Sequence, residues 1–61
     1  MVIKTFNLPD DLMAEIFTHG EFYGIALRDL SVGEIVPESV IRNIKTESDA
    51  IARAKKKYQQ I

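Results

Sequence analysis

Sixty-one residues hold at most one small domain, and the composition is that of a soluble protein: 46% apolar, 28% charged, net charge −1. No cysteine is available for a disulfide, and one histidine cannot build a structural zinc site. A core this small barely offsets the entropy of ordering the chain, so self-association or a partner is expected to supply the rest.

The charge is unevenly spread. Residues 1–40 carry two cations against seven acids, a net of −5, and residues 41–61 carry six against two, a net of +4. Acids early in a helix and bases late in one would account for part of this. Head-to-tail association of opposite poles, or a basic face for an acidic partner, would account for it as well. No apolar run approaches a membrane span and no signal-like start is seen, so the expectation is a cytosolic protein with no membrane contact.

In chain order, residues 2–6 (Val-Ile-Lys-Thr-Phe) are β-branched and aromatic and read as a short strand. Asn7-Leu8-Pro9-Asp10-Asp11 reads as a helix start, with Asn7 as N-cap, Pro9 in the first turn and acids at the positive end of the dipole. Leu12, Met13, Ile16 and Phe17 follow at i, i+1, i+4 and i+5, an apolar stripe. With His19 in the last turn and Gly20 as C-terminal cap, the spacing predicts a helix over residues 8–19. Residues 22–29 alternate and predict a strand, with Gly24 and Ala26 leaving one side flat. Ser31-Val32-Gly33-Glu34 predicts a turn. Ile35-Val36 resumes extended structure, and Pro37 belongs at an edge, at a bulge or outside the sheet.

Residues 40–46 fit two readings. In one they close a hairpin, and a new helix begins at the Thr46-Glu47-Ser48-Asp49 capping signal. In the other a single helix runs from Pro37 to the end, along a seam of Val40, Ile41, Ile44, Ile51, Ala54, Tyr58 and Ile61. The first is preferred, because Glu47 and Ser48 would break the seam. The expected fold is therefore a small single α+β domain, β-α-β-β-α, with two helices against a short, mainly antiparallel sheet.

No set of residues suits catalysis. His19 stands alone, and Asp10, Asp11 and Glu15 read as a solvated acidic face rather than a metal site. Gly20, Gly24 and Gly33 are too scattered for a phosphate loop. The expectation is a non-enzyme with no cofactor and no metal. The candidate interaction residues are Tyr23, Arg53, Lys56, Lys57, Tyr58 and Ile61: two aromatics, a cationic cluster and a terminal apolar residue near one helical surface. Three consecutive lysines span more than half a turn, so Lys55, Lys56 and Lys57 cannot all face one ligand.

Two resemblances bear on function. The run from Ile3 to Leu12, a strand followed by Leu-Pro and an acidic start, resembles the opening of ribbon-helix-helix repressors. That likeness implies a dimer in which paired strands enter the major groove, with Thr5 and Asn7 reading bases and Phe6 and Leu8 facing the core. Here Ile3 would lie on the DNA face, and the second helix would fall on residues 22–30, which read as strand. The carboxyl half, Thr-Glu-Ser-Asp-Ala then Ile-Ala-x-Ala-Lys-Lys-x-Tyr, looks like the hairpin-plus-helix ending of small phage and prophage α+β proteins. It implies a module that occupies a surface on a larger machine. The favoured expectation is a non-catalytic, phage-type interaction or regulatory module with a protein partner and a homodimeric state. The alternative is a dimeric DNA-binding regulator, with nucleic acid not favoured.

Overall fold

The computed structural model of the chain describes residues 1–58. Its order is β1 (Val2–Leu8), β2 (Leu12–His19), β3 (Phe22–Asp29), β4 (Glu34–Ile35), a 3₁₀ turn (Pro37–Ser39), β5 (Ile41–Ile44) and α1 (Glu47–Tyr58). The strands form one antiparallel sheet, and α1 lies over β2, β3 and β5. No described helix is long and apolar enough to cross a membrane.

The expected β-α-β-β-α fold, with two helices against a short sheet, is therefore corrected. One helix covers a five-stranded sheet, and residues 8–19 are the end of β1, a turn and β2. The helical stripe of Leu12, Met13, Ile16 and Phe17 is also satisfied by a strand whose two faces are both largely apolar. Leu12, Ala14 and Ile16 then lie on one face, and Met13, Glu15 and Phe17 on the other. Two hairpins decide between these readings. Asp10 and Asp11 both take the left-handed conformation (φ 64° and 57°), so they turn β1 into β2 and do not sit at a helix start. Gly20, at φ 63°, occupies the first central position of the two-residue turn that closes His19 onto Phe22. It is a hairpin glycine, not a helix cap, and the resulting β2–β3 ladder runs unbroken from Leu12–Asp29 to His19–Phe22. His19 accordingly ends a strand, and the helix that follows Leu-Pro in ribbon-helix-helix repressors is here a strand.

The strand over residues 22–29, the turn at Gly33 (φ 76°) and the fresh helix start after Thr46 all appear as the residues suggest. Thr46 Oγ1 accepts the Asp49 N–H at 3.1 Å, and the first turn is acidic while the last is basic. Residues 41–44 form β5, so the single long helix is not formed, and the expected hairpin is corrected as well, since β4 and β5 both pair with β3 rather than with each other.

The far edge of β3 is shared. Its end pairs with β4 (Arg28–Ile35, Asp29–Glu34), and its beginning pairs with β5 (Tyr23–Ile44, Ile25–Ile41). Pro37 cannot donate to the ladder, and the chain breaks there into the 3₁₀ turn. Ser39 repairs the gap: its Oγ accepts the Leu27 N–H at 2.8 Å and donates to Val36 O at 2.7 Å. Val36 N donates to Leu27 O at 2.8 Å. Asn43, at φ 65°, absorbs the extra residue where β5 bulges.

The core lies between sheet and helix. Ile16, Ile25, Ile44, Ala50 and Ala54 are buried, and Phe6, Tyr23, Ile41, Ile51 and Tyr58 pack around them. Only Ile16 and Ile25 are large side chains with no exposure at all among the described residues. The alanines of α1 let its backbone approach the sheet closely.

Candidate functional site

Arg53, Lys56 and Lys57 stand at i, i+3 and i+4 on α1, one face of the helix. The apolar face is Ala50, Ile51, Ala54 and Tyr58, so docking that face on the sheet aims the cationic row along the helix flank, above β5. There the three cations line an open groove of about 390 Å³, with partly exposed Ile41 at its base and the fully buried Ile25 beneath. Lys55 is not among its walls, as the helical spacing requires.

The groove keeps a positive balance. Arg53 Nε lies 3.5 Å from Asp49 Oδ2, one turn earlier, with both side chains about half exposed. An exposed pair of this kind contributes about 0–1 kcal/mol and leaves the guanidinium open to a better partner. No ion pair to Lys56 or Lys57 is formed among the described residues.

The six residues singled out from the sequence divide three ways. Arg53, Lys56 and Lys57 come together in the groove. Tyr23 and Tyr58 pack against the core. Tyr58 is further committed by its hydroxyl, which donates to Ser39 O at 2.6 Å, and burial pushes its phenol pKa up. Ile61 lies outside the described residues. The groove base, Ile41 over the buried Ile25, was not anticipated. Its signal was the strand alternation that puts Ile25 under the helix, but the pairing partner, Ile41, depends on the interrupted edge.

The opposite sheet face carries a second feature, and it corrects the reading of Glu15 as part of a solvated acidic face: Glu15 is buried. Arg28 Nε donates to Glu15 Oε2 at 2.7 Å, and the two side chains are 32% and 7% exposed. Their positions are diagonal across the β2–β3 ladder, since Glu15 faces Ala26 and Met13 faces Arg28. Arg28 Nη1 also donates to Gly33 O at 2.7 Å, fixing the β3–β4 turn. The Glu15 hydrogen bond and charge hold the guanidinium more firmly protonated than usual. Asp29 caps the same turn, accepting from Ser31 Oγ at 2.6 Å and Ser31 N at 3.0 Å, which holds its carboxyl below the usual range. These contacts are internal ties of a turn, and no group of acids, histidines or cysteines suited to a metal occurs among the described residues.

The acidic turns and the basic helix end are not opposite poles. The turn of Asp10 and Asp11 meets the end of β3 through Leu30 N–Asp11 O at 2.8 Å, beside Asp29 and Glu34. The helix finishes at Ser39, against Leu27 of the same end of β3. The acidic turns and the last turn of α1 therefore lie toward the same end of β3. Protein-family models, curated proteins and solved structures, compared with this chain, give no match.

Proposed function

We propose that this chain is a non-catalytic binding module whose α1–β5 groove takes a short acidic and apolar segment of a protein partner. The observation that carries this reading is the convergence of Arg53, Lys56 and Lys57 beside the partly exposed Ile41. Cations on a wall and aliphatic carbon at the base suit a segment that mixes carboxylates with aliphatic side chains. A nucleic-acid surface would be broadly basic, yet Asp10, Asp11, Asp29 and Glu34 crowd the same end of the sheet and the net charge is −1. The likeness of the carboxyl half to small phage modules that occupy a larger machine is in keeping with this reading.

The test is a titration of isotope-labelled protein with an end-blocked peptide alternating Glu and Leu. Amide shifts confined to Ile25, Ile41 and residues 53–57, with affinity falling about tenfold or more in an Arg53→Ala, Lys56→Ala, Lys57→Ala variant, are expected from three partly desolvated charge contacts. Shifts elsewhere, or an unchanged affinity in the variant, would remove the groove as the site. Tighter binding of mixed-sequence duplex DNA, falling steeply with salt, would replace the protein partner by nucleic acid.

A further inference from the structure

The two edges of the sheet are built differently. The β4–β5 edge is dismantled: a two-residue strand, Pro37, a 3₁₀ turn, a serine side chain in place of a ladder partner, and a left-handed Asn43. Each of these is a device that keeps another strand from adding. The β1 edge has a bulge only at its start, between Val2 and Lys4, and from Lys4 to Leu8 it pairs regularly with β2. It has no proline.

The ladder fixes which β1 groups are free. Met1 and Thr18 exchange both bonds (Thr18 N–Met1 O at 2.9 Å, Met1 N–Thr18 O at 3.2 Å), so the even residues of β2 face β1. Asp11 O accepts from Leu30 N, so the odd residues face β3. Thr5 and Asn7, opposite Glu15 and Met13, therefore turn their N–H and C=O groups outward, where no partner exists among the described residues.

We infer that β1 pairs antiparallel with β1 of a second copy about a two-fold axis at Phe6, making one continuous sheet across the dimer. In this register Thr5 and Asn7′ form one hydrogen-bonded pair, and Asn7 and Thr5′ the other, so every outward group of both residues is satisfied. Phe6 meets Phe6′ at the axis in a non-hydrogen-bonded pair, the closer of the two kinds and one that suits aromatics. Lys4 falls opposite Leu8′, so no lysine faces its symmetry mate. The bulge at Val2 lies beyond the paired stretch. The strand is thus self-complementary, which an isologous contact requires and an arbitrary guest strand does not. Phe6 already packs against the core, so the pairing extends a core whose fully buried large side chains are Ile16 and Ile25. The groove on α1 lies on the far side of β3 and is not used.

Sedimentation equilibrium on the full chain, from micromolar to near-millimolar concentration, reads the mass directly. A dimer is expected, and Thr5→Pro, which removes an outward N–H on an edge strand, should shift it to monomer with an unchanged circular dichroism spectrum. Should Thr5→Pro fail to fold, amide exchange on the native chain decides instead: Thr5 and Asn7 amides should be protected only at concentrations where the dimer forms. A monomer of 6.9 kDa throughout, or a dimer whose Thr5 and Asn7 amides exchange freely, would overturn the inference.

Discussion

Tyr58 closes the fold from its far end: its hydroxyl donates to the carbonyl oxygen of Ser39 at 2.6 Å, nineteen residues earlier. Ser39 is the residue whose side chain fills the gap in the sheet edge. One phenol thus ties the last turn of α1 to the weakest point of the sheet. Tyr58→Phe keeps the packing and removes the bond, so a loss of about 1 kcal/mol is expected. In a domain this small that corresponds to a fall of roughly 4–8 °C in Tm. Tyr58→Ala also removes half-buried ring contacts and should cost about 2 kcal/mol or more. Thermal melts at one fixed protein concentration check both, since self-association makes Tm concentration-dependent.

The same burial has a consequence for pH. The Tyr58 phenol is raised above its ordinary range chiefly by desolvation. A raised folded-state pKa means that the unfolded chain ionises first. The stabilisation is therefore complete below about pH 10, the unfolded value, and is lost as pH rises through the folded value. Phenolate absorbance should show the Tyr58 phenol, identified by its loss in Tyr58→Phe, titrating late and together with unfolding. In Tyr58→Phe the alkaline limb of the stability curve should flatten. An unaltered limb would place the alkaline sensitivity elsewhere.

Residues 22–36 and 46–58 were legible because their signals are local: Thr46 caps α1, and Gly33 turns the chain. Residues 37–45 fitted a hairpin or a helix and form neither, since Pro37 interrupts the edge and β4 and β5 both pair with β3. Residues 8–19 were not legible either, because Leu12, Met13, Ile16 and Phe17 satisfy a helical stripe and a two-faced strand equally. What separates them is the pairing of Leu12–His19 with Phe22–Asp29, a relation between segments that no single window contains. Glycine added to the ambiguity, since Gly20 suits both a helix cap and the first position of a hairpin turn. In the candidate site the cationic row followed from helical spacing alone. The isoleucine base did not, because Ile41 reaches Ile25 only through the broken edge.

Ser39 offers a sharper probe of that edge. Its Oγ is the acceptor for Leu27 N–H, inside the sheet, where water has little access. Ser39→Ala leaves that donor without a partner and should cost about 1–3 kcal/mol. The effect should be visible locally as faster amide exchange at Leu27, with the β2–β3 amides moving only as far as global stability moves them. Ser39→Thr keeps the hydroxyl and should keep the protection at Leu27. Equal exchange at Leu27 in Ser39→Ala and in the native chain would mean that the repair contributes nothing.

Gly24 carries the last prediction. It is buried in the central strand, and the ring of Phe17 lies across it from the neighbouring β2 position. A Cβ built at 24 would sit 2.6 Å from Phe17 Cε2 and 2.8 Å from Ile41 O, closer than carbon atoms settle without movement. Gly24→Ala should therefore destabilise by about 1–3 kcal/mol, although alanine is otherwise no worse than glycine in a strand. Part of the clash is with a side chain and part with backbone, and the two respond differently. Phe17→Leu in the Gly24→Ala background should recover the share owed to the ring, while the share owed to Ile41 O should persist. The double-mutant cycle would then show a favourable coupling of about 0.5–2 kcal/mol. Strict additivity would mean that the ring moves aside freely, and that Gly24 is held by the Ile41 carbonyl alone.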